Sequence, residues 1–162
     1  MATAHDVAAY ILDKLGEMSA MKLQKLLYYS QAWQLVWEDR PLFPQRIQAW
    51  ANGPVVQEVY ACHRGQFSVG PTWPRGDASR LGNDERETID AVINAYGHLS
   101  GQQLSHLTHS EDPWCDARGD LSPTVRSTNE ITPAAMAEFY AALDAAEEAQ
   151  PIDQIEWIRN AV

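Results

Sequence analysis

The sequence predicts a mainly α-helical fold: one compact domain of about five to six helices, with a small two-stranded β element between the second and third helices. Apolar residues recur at helical spacing in several separate segments, and capping or helix-breaking residues lie between these segments. One segment, Pro41–Trp50, lacks the helical pattern and leads to Asn52-Gly53, a strong turn signal. The chain has 162 residues, 45% of them hydrophobic, which suits a single domain with one core.

The first two helices are predicted from their apolar spacing and from their ends. Apolar residues recur at helical spacing over Val7–Leu15, and Gly16 is a residue type that commonly ends helices. The second helix begins after Ser19, whose hydroxyl can accept a backbone N–H hydrogen bond as an N-cap, and runs to about Trp37. Because it is apolar over most of its circumference, we expect it to be the central helix, packed on several sides.

The β element is predicted where the helical pattern stops. Pro41 and Pro44 cannot continue a helix, since proline lacks the backbone N–H and clashes with the preceding turn. Residues 47–50 alternate loosely before Asn52 and Gly53, a strong turn signal, and we expect a positive φ at this glycine.

Residue types predict two details of this region. Leu42 and Phe43 are expected to lie opposite Ile47 and Ala49 in the short β element. Pro54 is expected in the first turn of a third helix, where its missing N–H costs nothing. That helix would carry the apolar residues Val55, Val56, Val59 and Tyr60.

Three further helices are predicted in the second half of the chain. They begin with Asn83 as an N-cap, at Ser100, which opens a capping box, and at Thr132, which precedes a proline. Residues 65–82 form the longest loop, and the proline-containing segment 111–114 ends the helix that begins at Ser100.

The chain is divided near residue 150. Residues 1–149 are predicted to form the folded domain. Residues 150–162 are predicted to be an acidic, amphipathic tail with Ile152, Ile155 and Ile158 on one side.

The charge of the chain disfavours one class of partner and favours another. Twelve basic and 22 acidic residues give a formal net charge of −10, which disfavours nucleic acid as a ligand and favours a basic protein partner. No apolar run approaches the length of a membrane span and no secretory signal is visible, so we expect a cytoplasmic protein. Cys62 and Cys115 are expected to be free thiols.

Two groups of residues could carry chemistry, but neither fits a known motif. His106 and His109 share a helix face near Glu111 and Cys115, yet their spacing matches no standard metal site; the alternative is that His109 and its neighbour Thr108 close the end of the helix. Cys62 and His63 are adjacent on a helix and therefore point about 100° apart, which does not suit a nucleophile and its base. We therefore assign no catalytic residue, metal or cofactor.

Two lysines and two tryptophans leave alternatives open. Lys22 and Lys25 lie on an otherwise apolar helix, where they either pair with carboxylates at the edge of the core or line a groove that holds an acidic or backbone group of a partner. Trp50 and Trp114 lie beside turns, where large aromatics either anchor a protein interface or cover the edge of the host's own core.

Several separated strings in this sequence resemble one family. Residues 21–33 have the sequence MKLQKLLYYSQAW, residues 41–43 are PLF, and residues 49–60 are AWANGPVVQEVY. A further stretch is LSHLTHSE over residues 104–111, followed by Pro113 and Trp114. In this order the strings resemble the Panacea domain of SocA-like, phage-associated antitoxins, over about residues 5–143.

The resemblance implies a non-enzymatic antitoxin that neutralises a co-encoded toxin by direct protein–protein binding, alone or as an oligomer with that toxin. An alternative within the family is an adaptor that delivers the toxin to a cytosolic protease. From a different class, a metal-dependent hydrolase would use His106, His109 and Glu111. The residues that we expect to contact the toxin are Lys22, Lys25, Trp50, Asn52, Gly53, Pro54, Val55 and Trp114.

Overall fold

A computed structural model describes residues 1–147, which form seven α-helices and five short strands. The helices are α1 (Ala4–Leu15), α2 (Ala20–Glu38), α3 (Gln57–His63), α4 (Asn83–Tyr96), α5 (Gly101–His109), α6 (Asp112–Arg118) and α7 (Pro133–Ala146). The strands are β1 (Met18–Ser19), β2 (Ile47–Trp50), β3 (Gly53–Val56), β4 (Ser68–Val69) and β5 (Glu130–Ile131). The mainly α-helical fold class is confirmed, with one or two helices more than predicted. The tail predicted at residues 150–162 lies outside the described residues.

Helix α2 is the centre of the domain, as its apolar circumference predicts. It packs against α1, α4, α5 and α7 and against strand β3. Leu23, Leu26, Leu27 and Trp33 are fully buried. The helix begins where the sequence predicts, because the Ser19 hydroxyl accepts from the backbone N–H of Lys22.

The predicted β element is a hairpin, but only one of its two strands, at Ile47–Trp50, is a predicted one. β2 pairs with β3 in antiparallel register, from Ile47 opposite Val56 to Trp50 opposite Gly53. The pairing of Leu42 and Phe43 with this strand is therefore wrong. The two residues are buried beside α2, where Gln31 accepts from the N–H of Leu42 and donates to the carbonyl of Phe43.

The third helix begins later than predicted. Pro54 lies in β3 and α3 begins only at Gln57. Val55 and Val56 therefore belong to the strand, whereas Val59 and Tyr60 belong to the helix as predicted.

Four elements have only weak local signals. β5 adds to the free side of β2, with Ile131 opposite Ile47, and makes a three-stranded sheet of order β3-β2-β5. β1 and β4 form a separate two-residue ladder, with Met18 opposite Val69. Pro113 does end α5, as predicted, but it also lies in the first turn of a new helix, α6, where its missing N–H needs no partner.

Candidate protein-binding site at the hairpin

The turn between β2 and β3 depends on its glycine. Ala51 and Asn52 form a two-residue loop between the paired residues Trp50 and Gly53. Gly53 has a φ of +115°, and a Cβ there would lie 2.5 Å from Cε of Lys25. The backbone conformation and the close approach of the lysine both require glycine at this position, and the predicted positive φ is confirmed.

Side chains from α5 and α6 donate hydrogen bonds to four consecutive backbone carbonyls of the hairpin, from residue 49 to residue 52. The donors to residues 49, 50, 51 and 52 are, in that order, Arg118 Nη1 (3.0 Å), Trp114 Nε1 (2.8 Å), His109 Nε2 (3.0 Å) and Ser105 Oγ. The polar backbone of the turn is thus satisfied by side chains of the domain, which fixes its position on the helices.

The outer edge of β3 is satisfied in the same way by α2. The amide of Gln24 accepts from the N–H of Val56 at 2.8 Å and donates to its carbonyl at 3.3 Å. Pro54 has no N–H, and its carbonyl accepts from Nζ of Lys25 at 3.1 Å. This edge therefore leaves no free ladder groups at Pro54 and Val56 for pairing with another strand. We call Gln24, Lys25, Ser105, His109, Trp114 and Arg118 the hairpin donors.

Lys25 is a buried amine that contacts a carbonyl and not a carboxylate. Its side chain is 1% exposed, and burial lowers its pKa to about 7 because the interior disfavours the charged form. Lys22 is half-buried and donates to the carbonyl of Gly97, next to the C-terminus of α4, at 2.6 Å. Both lysines bind backbone carbonyls, so the interpretation that pairs them with carboxylates is wrong.

Arg118 is a hairpin donor that the sequence alone did not indicate. It is 3% exposed, donates also to the carbonyls of Ser122 and Val125, and lies over the ring of Trp114 at 4.9 Å from its centroid. A single arginine near the end of a short helix has no distinctive sequence pattern. Gln24 and Ser105 likewise have no sequence pattern that marks them as donors to the hairpin, although both lie inside the family-like strings.

The structure brings most of the predicted contact residues together but buries many of them. Val55 and Trp114 are 7% and 5% exposed, and Gly53 and Pro54 are buried. Asn52 is exposed, whereas Trp50 is half-buried with its ring edge-on to Tyr60. Lys22 lies away from the turn, against α4. Of the predicted set, Asn52 and part of Trp50 are therefore available to a partner at the turn, and part of Lys22 is accessible away from it.

Two grooves lie on either side of the turn and share Asn52. The first, which we call the strand groove, has a volume of about 320 Å³ and is lined by Trp50, Ala51, Asn52, Val55, Arg126, Ser127 and Thr128. The second, the helix groove, has a volume of about 560 Å³ and is lined by Ser19, Met21, Asn52, Phe67, Ser100, Gly101, Gln102, Ser105, His106 and His109. Phe67 is 84% exposed, which is unusual for a phenylalanine.

The three residues that a metal-dependent hydrolase would use lie in different environments. His109 donates to the hairpin, His106 is exposed in the helix groove, and Glu111 is buried in the core. Oε1 of Glu111 accepts from the hydroxyls of Tyr29 (2.6 Å) and Tyr140 (2.8 Å), and burial raises the pKa of Glu111 to about 7. Within residues 1–147 no three histidine, cysteine, aspartate or glutamate side chains are grouped as a metal site requires.

None of the helices within residues 1–147 combines the length and the apolar character needed to cross a bilayer.

The fold and this site define a small helical domain that presents a fixed β-turn between two grooves. The model of one family, described as antitoxin SocA-like, Panacea domain, matches residues 23–115. A similar curated protein is "Antitoxin SocA" of Caulobacter vibrioides (strain NA1000 / CB15N), which is 33% identical over 131 residues, with 68% of each chain covered. The chain belongs to the SocA-like, Panacea-domain antitoxin family, which confirms the resemblance. No solved structure matches it significantly.

Proposed function

We propose that this protein is an antitoxin that neutralises a co-encoded toxin by binding it directly, with the turn at Asn52 and its two flanking grooves as the contact surface. Family membership and the similarity to a protein named Antitoxin SocA support the antitoxin role. The half-buried free thiols Cys62 and Cys115 suit the reducing cytoplasm in which we place this binding.

The single observation that carries the choice of surface is the position of the hairpin donors. They use up the backbone carbonyls of the turn and leave the side chain of Asn52 exposed between the grooves. A turn that is already fixed loses little conformational entropy when a partner binds. The family match begins one residue before Gln24 and ends one residue after Trp114, so it spans all of these donors except Arg118.

The first experiment expresses the product of the neighbouring open reading frame in bacteria, with and without this protein. We expect that product to be toxic alone, to be rescued by this protein, and to purify with it in a fixed stoichiometry. A toxin whose level falls when this protein is present and recovers in a protease-deficient strain would instead support the adaptor. A product that is not toxic, or is toxic and not rescued, contradicts the proposal.

The second experiment locates the contact surface. Asn52→Ala removes an exposed side chain but keeps the backbone carbonyl that Ser105 binds, so folding should be unaffected. Trp50→Ala removes a half-buried ring at the turn. Its matched control is Trp37→Ala, which removes a half-buried ring that stacks on Trp33 inside the domain.

We expect both turn variants to weaken rescue at equal folded yield, and the Trp37 variant to lower rescue only in proportion to its loss of folded protein. Equal loss of rescue and yield for the Trp50 variant, together with full rescue by the Asn52 variant, would exclude the turn as the contact surface.

A further inference from the structure

We propose that the toxin segment that binds at the turn is acidic: a carboxylate of the toxin lies beside Asn52, above Arg118, next to an apolar residue that enters the helix groove. This inference rests on the proposed function, and it specifies the chemistry of the partner at that same surface.

The first reason is that a guanidinium, that of Arg118, lies buried under the turn. It is 3% exposed and binds three backbone carbonyls. Within residues 1–147 the ion pairs are Lys14–Asp90 and Arg40–Glu85, and neither is at the hairpin. Charge that is buried and not neutralised creates a positive potential at the nearest surface.

The second reason is the composition of the two grooves. The chain has 22 acidic residues, yet among residues 1–147 no carboxylate lines the strand groove or the helix groove. The strand groove has an exposed basic side chain instead, that of Arg126. The lining of this groove therefore carries a positive charge, although the whole chain is acidic.

The helices add to the same potential. A Cβ at Gly101, in the first turn of α5, would lie 2.7 Å from Oγ of Ser19 and 2.9 Å from the backbone nitrogen of Lys22, so the N-termini of α2 and α5 meet at the helix groove. Neither first turn contains an acidic residue. The positive ends of both helix dipoles therefore face this surface without a neutralising side chain.

The apolar part of the partner is inferred from Phe67 and Met21. Phe67 is 84% exposed and Met21 36% exposed, and both line the helix groove. An apolar side chain beside a carboxylate would bury these two residues and neutralise the charge in one contact. The net charge of −10 predicts a basic partner; at this surface the geometry indicates the reverse.

The test measures the affinity of the purified protein for the product of the neighbouring open reading frame, with charge reversals at exposed positions. Arg126→Glu and His106→Glu place a carboxylate in the strand groove and in the helix groove. Arg46→Glu is the matched control, since Arg46 is exposed and lies just before β2, at the end of that strand away from the turn. All three side chains are exposed, so folding should be preserved, and circular dichroism checks this.

We expect Arg126→Glu to weaken binding about tenfold at low salt, and less at high salt because ions screen the repulsion. His106→Glu should weaken binding in the same direction, and Arg46→Glu should have no effect. Unchanged or tighter binding by both groove variants would overturn the inference while leaving the proposed function intact. A wild-type protein that does not bind the product refutes both.

A second measurement identifies the carboxylate itself. Carboxylates of the toxin are labelled with a carbodiimide and glycine ethyl ester, free and in complex, and the labelled sites are mapped by mass spectrometry. We expect at least one toxin carboxylate to be protected, and the same residue to cross-link to Asn52→Lys with carbodiimide alone, whereas the native Lys14 does not cross-link. A complex in which no toxin carboxylate is protected contradicts the inference.

Discussion

Replacing Lys25 by methionine tests whether this lysine is buried largely as an uncharged amine beneath the hairpin. The side chain is 1% exposed and its amine has a backbone carbonyl as partner. Methionine has a similar length and no charge, so it keeps most of the packing. It loses the hydrogen bond to Pro54, which costs about 1–3 kcal/mol by leaving that carbonyl without its donor.

The sign and the magnitude of the pH dependence of stability follow from the lowered pKa of Lys25. The Lys25 pKa is about 7 in the folded chain and 10.5 in the unfolded chain. Between these values the unfolded chain binds one proton more than the folded chain, so stability rises with pH. A difference of one whole proton changes the free energy of unfolding by about 1.4 kcal/mol per pH unit. Between pH 7 and pH 9 this amounts to about 2 kcal/mol of added stability in the wild type.

The assay is urea unfolding at pH 7, 8 and 9 for the wild type, for Lys25→Met and for Lys14→Met. We expect the difference in stability between the wild type and Lys25→Met to change by about 2 kcal/mol over this range, in favour of the wild type at high pH. Lys14 is about half-exposed on α1, with a side-chain exposure of 52%, so its variant should follow the wild-type slope. Parallel curves for the wild type and Lys25→Met would refute the burial of an uncharged amine.

Three further predictions concern the turn and the core. Gly53→Ala should destabilise the fold by more than about 1 kcal/mol, whereas Gly65→Ala, at a positive φ with open space around it, should show the backbone cost alone in the same unfolding assay. Trp114→Phe keeps the ring but removes the donor to the carbonyl of Trp50, and should cost about 1 kcal/mol in urea unfolding. The folded pKa of Glu111 is raised from 4.5 to about 7, so the stability from this group is full below pH 4.5 and is lost as pH rises through 7. The stability difference between Glu111→Gln and the wild type should therefore move by about 3 kcal/mol in favour of glutamine from pH 4.5 to above pH 7, and a constant difference would contradict this.

Helix ends were predicted well because their signals are local. Ser19 and Ser100 accept from backbone groups three residues ahead, and Thr132 does the same for α7. The N-cap of α4 was placed one residue late: it is Gly82, whose N–H binds Glu85. A cap is decided within one turn of helix, so the sequence contains nearly all the information needed to find it.

Strand pairing was predicted less well because it is decided at long range. Pro54 suits a first helical turn and equally suits an outer strand position without an N–H. Its neighbours Gln24 and Lys25, about 30 residues earlier in the chain, select the second arrangement. The two-residue strand β5 is defined by its position beside Ile47 and has no pattern of its own.

The candidate site was predicted only in part, because burial, like strand pairing, is decided by parts of the chain that are far apart in sequence. Trp50, Asn52 and Trp114 were identified from residue type and turn chemistry, and the structure brings them together. Which residues are exposed could not be known, because Trp114 and Asn52 are equally compatible with interface and framework in the sequence alone. The net charge of the chain does not identify the charge of a partner at one site, since it averages over the whole surface.

The order in which the hairpin donors appear in the chain affects when the turn can form during folding. The acceptors lie between residues 49 and 56, while Ser105, His109, Trp114 and Arg118 lie 53 to 69 residues further along the chain from their acceptors. Closing loops of this length costs entropy before the contacts stabilise them, so we expect these hydrogen bonds to form late in folding. A partly synthesised or truncated chain that lacks α5 and α6 would therefore contain the residues of the turn without its fixed conformation. If the turn is the contact surface, as we propose, the protein becomes able to recognise its partner only late in folding, when α5 and α6 hold the turn in place.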